Sequence, residues 1–168
     1  IETLGPSSGC HINPAVTIAM LFAKRIEVKA GVLYIVVQLL GGLCGTIASH
    51  AMFIGHDFFQ WAAVAEVTRN DGAYFAEFVG TFVLVLVIFG TIHNKAAQPG
   101  LIIGFLVGGF LITTSSTMFA NPQVTIARAF TWSIAGVRPI DAIVFVVVQI
   151  VAAIAATAVA SCVFAPPK

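Results

Sequence analysis

Residues 13–19 read Asn-Pro-Ala-Val-Thr-Ile-Ala, and residues 121–127 read Asn-Pro-Gln-Val-Thr-Ile-Ala. Six of these seven positions are identical, roughly 108 residues apart. Asn before Pro is a helix-start signal: the Asn side chain caps the first turn, and Pro sits at N1, where its missing N–H is no loss. Inside an apolar chain, two such starts predict two half-helices whose positive ends meet at mid-bilayer. That is the geometry of a pore or of a transporter site.

The chain around the two phrases is membrane-like. Of its 168 residues 59% are hydrophobic and 9% charged, and the mean hydropathy is +1.01; a soluble domain carries roughly 25% charged residues. An all-α, multi-pass membrane protein is expected, with the lipid bilayer as its first partner. The net charge of +1 forms no basic stripe, so nucleic acid is not an expected partner. Cys10, Cys44 and Cys162 show no disulfide or metal spacing, and Cys44 and Cys162 read as small core residues. No nucleophile–base pair, metal cluster or phosphate loop is visible, so neither an enzyme nor a cofactor is expected.

Residues 14–23 are apolar but too short to span, and Lys24, Arg25, Glu27 and Lys29 end them in water. Spans are expected at about 30–54, 73–92, 100–117 and 139–164, and the second short segment at 122–133. Residues 55–72 read as a loop with a short interfacial piece around Trp61. Val36-Val37-Gln38 recurs as Val147-Val148-Gln149, followed by small residues at four-residue steps: Gly41, Gly45, Ser49, then Ala152, Ala156, Ala160. Such faces let membrane helices approach closely.

The chain is therefore one transmembrane domain over 1–168, with 1–54 the end of a first repeat and 73–165 the second. The second phrase follows two long apolar segments, whereas the first comes 13 residues in. A matching N-terminal part of about two spans, on the order of 40 residues, is expected outside the chain. Three spans per repeat make the two repeats run in opposite directions. Lys24, Arg25, Lys29, Lys95 and Lys168 on one side, against Arg69, Arg138 and Arg128 on the other, put the C-terminus in the cytoplasm.

Gly9-Cys10-His11-Ile12-Asn13-Pro14-Ala15-Val16-Thr17 resembles the first signature loop of the aquaporins, the major intrinsic protein family. Ala76-Glu77-Phe78-Val79-Gly80-Thr81-Phe82 resembles that family's fourth membrane helix, and Asn121-Pro122-Gln123 stands where its second Asn-Pro-Ala box belongs. The resemblance runs over essentially the whole chain. It implies an aquaporin-like, inverted-repeat, right-handed helical bundle with two re-entrant half-helices, N-terminally truncated here. It also implies a homotetramer with one pore per subunit.

Two departures stand out. Gln123 replaces the Ala of the second box. Where family water channels carry Arg, three residues after the second Asn, this chain has Val124, and Arg appears one turn later at 128. Arg128 is a candidate for the outer mouth. The other filter positions that the resemblance implies are Gly109 and Met118.

The expected mechanism is electrostatic. Each half-helix start carries roughly +0.5 charge and unsatisfied N–H groups. Two of them repel cations and protons, while water and small neutral solutes accept hydrogen bonds from the Asn13 and Asn121 amides. Glu77, the acid well inside a span, is expected to hold the second loop by accepting its N–H groups; Gln38 and Gln149 are expected to act similarly. His11 is expected to lend the pore its backbone carbonyl. Cys10 is the repeat equivalent of Met118. With Gly109 and Val124 the filter should be wide enough for glycerol, urea-like molecules or undissociated metalloid hydroxides. The alternatives are a secondary transporter, which shares the inverted-repeat signature, and a non-conducting truncated remnant. A bacterial inner membrane is the expected location.

Overall fold

A computed structural model describes residues 1–53 and 64–164. The interfacial piece expected around Trp61 lies outside them, as does Lys168. The elements in chain order are α1 (Gly5–Ser8), α2 (Pro14–Phe22), α3 (Val28–Ala51), α4 (Asp71–His93), α5 (Pro99–Thr113), α6 (Pro122–Ala127) and α7 (Pro139–Val163). A 3-10 turn over Arg128–Phe130 extends α6. The described residues form an all-α fold.

α3, α4 and α7, with 24, 23 and 25 residues, are long and apolar enough to cross a bilayer. The expected span at 100–117 is shorter than the sequence suggests. α5 ends at Thr113 after 15 residues, or about 22 Å at 1.5 Å per residue. Thr114 is extended, its hydroxyl donates to the Phe110 carbonyl at 2.6 Å, and it accepts from the Met118 N–H at 3.0 Å. A run of Thr and Ser thus turns the backbone out of the helix. The second short segment also stops early, because Thr131 is extended.

α4 and α7 form the centre. Val85 and Phe89 of α4 and Ala153, Ala156 and Ala160 of α7 bury Ala15, Val16, Ala19 and Met20 of α2. A second cluster gathers Phe119, Ala129, Val137, Ala142 and Phe145 beside α6. The small face of α7 is therefore a packing face: Ala152, Ala156 and Ala160 are all buried. Its counterpart on α3 is open, since a Cβ added at Gly41 or Gly45 would meet nothing within 4 Å. Of the apolar window of α3, 6% is buried, against 39% for α4 and for α7.

One reading of buried chemistry changes: Cys44 and Cys162 are exposed on α3 and α7 rather than core residues. Glu77 is joined by a second buried acid: Asp141, in the first turn of α7, is 1% exposed. It accepts from the Arg69 N–H at 2.9 Å and the Tyr74 hydroxyl at 2.6 Å, and pairs with Arg138 at 3.1 Å. Helix-start charge and these donors offset its desolvation.

Candidate pore site

Each Asn of the two boxes caps its own half-helix. Asn13 Oδ1 accepts from the Ala15 N–H at 2.9 Å, and Asn121 Oδ1 from the Gln123 N–H at 3.0 Å. Pro14 and Pro122 occupy N1 and are buried. Each amide nitrogen then crosses to the other repeat: Asn13 Nδ2 donates to the Ala120 carbonyl at 2.7 Å, and Asn121 Nδ2 to the Ile12 carbonyl at 2.9 Å. The half-helices meet start to start, with their unsatisfied N–H groups and positive ends at one point.

The loops leading into the boxes share a backbone that the sequence did not announce. Left-handed φ values recur four, three and one residues before each Asn: Gly9, Cys10 and Ile12 at 73°, 49° and 46°, and Thr117, Met118 and Ala120 at 59°, 38° and 45°. For residues other than Gly each costs about 1–3 kcal/mol, so the surroundings must impose it. Gly9 was the one local signal.

Glu77 is such a support. Fully buried, its carboxylate accepts from the Phe119 and Ala120 N–H groups at 2.8 and 2.7 Å, and from Gln149 Nε2 at 2.6 Å. Gln149 Nε2 also donates to Thr125 Oγ1 at 2.9 Å, and Thr125 Oγ1 donates to the Asn121 carbonyl at 2.9 Å. The first repeat repeats this relay. Gln38 Nε2 donates to Thr17 Oγ1 at 3.1 Å, and Thr17 Oγ1 to the Asn13 carbonyl at 3.2 Å. His11 joins that relay, with Nδ1 at 3.1 Å from Thr17 Oγ1 and its ring tilted against Tyr34. Thr17 and Thr125 are thus positioning residues that sequence reading missed; their place in the repeated phrase was the available signal.

A cavity of about 490 Å³ runs along this centre, lined by Cys10, His11, Ile12, Asn13 and Asn121, with Arg25 at one end. The three filter candidates do not converge on it. Gly109 lies on α5 facing open space. Val124 is half-buried beside the cluster of Phe119 and Phe145. Met118 is 3% exposed and packs with Leu84, Ala120 and residues of α5. Its side chain lies over Gly80, where an added Cβ would be 3.1 Å from Met118 Cγ.

Arg128 lies one turn beyond Val124. Its guanidinium carbon sits 3.9 Å from the Phe119 ring centroid, and Nε donates to the Ala135 carbonyl. Arg69 approaches the same ring at 5.5 Å and donates to the Gly136 carbonyl at 3.2 Å. Arg128 also borders a separate cavity of about 430 Å³ with Thr46, His50 and Thr131. Two guanidinium groups therefore flank one aromatic ring two residues before Asn121.

Comparison with known proteins identifies the family. The family model for Major intrinsic protein matches residues 1–120. Aquaglyceroporin AqpS of Rhizobium meliloti (strain 1021) is 33% identical over 159 residues, covering 94% of this chain and 66% of that protein. Aquaporin AqpM of Methanothermobacter thermautotrophicus is 37% identical over 146 residues, covering 77% of this chain and 55% of the relative. Aquaporin PIP1-6 of Zea mays is 36% identical over 137 residues, covering 73% and 44%. The chain thus spans about half to two thirds of the length of these curated relatives. The matched region takes in the first box, Glu77 and the loop that Glu77 holds. On these grounds the chain belongs to the major intrinsic protein family.

Proposed function

We propose that this chain forms the conducting centre of a passive membrane channel for water and small uncharged solutes. The observation that carries the reading is the reciprocal bonding of Asn13 and Asn121, which holds two half-helix starts together. One hydrogen of each amide is committed to the opposite loop and the other is left for a passing solute. The converging positive ends raise the energy of a cation there, whereas a neutral hydroxyl or water accepts a hydrogen bond at little cost.

The solute class is read from the residues at the filter positions that the family resemblance gives. Gly109 offers no side chain, Val124 offers neither charge nor donor, and Met118 is withdrawn into the core. Removing a guanidinium from a constriction removes bulk, charge and donors together. The reading is therefore a wide filter for glycerol, urea-like molecules or undissociated metalloid hydroxides, with Arg128 at the outer mouth. Aquaglyceroporin AqpS, whose name joins water and glycerol, is among the similar proteins. Homotetrameric assembly in a bacterial cell membrane belongs to the same proposal.

The test is stopped-flow light scattering on liposomes holding the intact protein. Shrinkage in sucrose, then fast re-swelling in glycerol or urea, is the expected result. Fast water flux without re-swelling restricts the channel to water. Flux that saturates or follows a proton gradient replaces the channel with a coupled transporter.

A further inference from the structure

α3 touches each half-helix through a glycine. A Cβ added at Gly31 would lie 2.7 Å from Leu21 Cδ2 of α2. A Cβ added at Gly42 would lie 2.7 Å from Gln123 Cγ and 3.2 Å from the Gln123 carbonyl oxygen of α6. Gly31 and Gly42 are eleven residues apart, close to three helical turns, so they share one face of α3.

The repeat supplies the comparison. Aligning Gln38 with Gln149 sets Gly31 against Ala142 and Gly42 against Ala153. Aligning the boxes sets Leu21 against Ala129 and Gln123 against Ala15. Ala15 and Ala153 are buried in one cluster, and Ala129 and Ala142 in another. At both equivalent seats on α7 the two aligned residues are Ala, and each pair is buried in one cluster. On α3 both are Gly against a larger side chain. The volume gained at Gln123 is matched by the methyl given up at Gly42, as expected of close-packed contacts. Thr46, one turn on, donates to the Ala127 carbonyl at 3.3 Å and holds the far end of α6.

We propose that Gly42 and Gln123 are a matched pair of positioning residues that sets how α6 sits on α3, and through Val124, the next residue, how wide the filter is. This rests on the channel reading. Gln123 is then a compensated substitution, and Gly42 its partner. The face of α3 that seats the half-helices is not the Gly41–Gly45 face but the one beside it.

The test is a double-substitution cycle in the intact protein: Gly42→Ala, Gln123→Ala and both together. Two quantities are read, the unfolding midpoint in detergent and the ratio of glycerol to water permeability. Gly42→Ala alone should lower the midpoint, as overpacking does, and shift the ratio by about tenfold. Adding Gln123→Ala recreates the Ala–Ala seat of the other repeat and should bring both readings back to within about twofold. Gly42→Ala indistinguishable from the parent, or a double variant no better than Gly42→Ala, overturns the pairing. A changed midpoint with an unchanged ratio overturns the positioning role. Failure of the channel reading shows separately, as absence of flux in the parent.

Discussion

Asn13 Nδ2 lies 2.7 Å from the carbonyl oxygen of Ala120, a residue 107 positions away in the other repeat. Ala120 has a left-handed φ of 45°, and Asn121 makes the reciprocal bond to Ile12, whose φ is 46°. Each Asn therefore caps its own helix and also accounts for the strained residue before the other one. Replacing Asn13 with Ala removes a cap, worth about 1 kcal/mol, and leaves the buried Ala120 carbonyl without its donor, about 1–3 kcal/mol more. An unfolding midpoint within error of the parent would contradict this.

Glu77 joins α4, α7 and the second loop through three short hydrogen bonds in a fully buried site. In Glu77→Gln an NH₂ group takes the place of one accepting oxygen and faces a donor. The variant should be destabilised by about 3 kcal/mol, as for other hydrogen bonds to buried charge. Glu77→Asp keeps the charge but shortens the reach, and should recover only part of the loss. Chemical denaturation of the purified protein measures both, and equal stability of Glu77→Gln and the parent would remove Glu77 from its supporting role.

How much of this could be read in the sequence depends on which interactions are local. The two caps were legible because Asn and Pro act on their own turn. The three long spans were legible as apolar runs ended by charge, and Glu77 because a carboxylate there must have donors. The left-handed residues were not: Cys10, Ile12, Thr117, Met118 and Ala120 have no propensity for that region, and tertiary bonds hold them in it. Met118, a filter position that the resemblance implies, is buried beside Leu84 and Ala120. The small-residue steps gave the right device on α7 and the neighbouring face on α3, because a four-residue period fixes a stripe and not what lies opposite it. Of the partners of the buried Asp141, Arg138 is local, but Arg69 and Tyr74 are about seventy residues away and left no signal beside it.

Val124→Arg would place a guanidinium beside Phe119, where Arg69 and Arg128 already approach the ring. The added charge and bulk should lower glycerol and urea permeability by about tenfold or more while water flux falls less. Stopped-flow ratios of the two fluxes decide it. An unchanged glycerol-to-water ratio would show that residue 124 is not part of the filter.

Glu2 gives a pH dependence. Its Oε1 accepts from the Gly100 N–H at 2.8 Å at the start of α5, and that bond holds the carboxyl below the usual Glu value. A lowered folded-state value means the contribution is complete above the unfolded value, about 4.3, and is lost as pH falls through the folded one. Protection of the Gly100 amide against hydrogen exchange should therefore be level near neutrality and drop only as the pH falls below the ordinary Glu value. Glu2→Gln should flatten that profile; a profile that drops equally in the variant assigns the effect to another group.

Cys10 provides a chemical test of the path itself. It stands three residues before Asn13, is half-buried, and lines the central cavity together with His11 and Ile12. Cys44 and Cys162 are exposed on α3 and α7, so a mercurial can reach all three thiols, yet only the adduct at Cys10 lies beside both boxes. A mercury atom with its ligand there occupies space a neutral solute needs. Labelling should therefore stop most of the water and glycerol flux, reducing agent should restore it, and Cys10→Ser should conduct normally and resist the reagent. Both remaining cysteines should be modified in Cys10→Ser without effect, which separates blockage of the path from general damage. Full labelling of Cys10 with flux unchanged would move the conduction path away from residues 10–12, and with it the role given to the Asn13 amide.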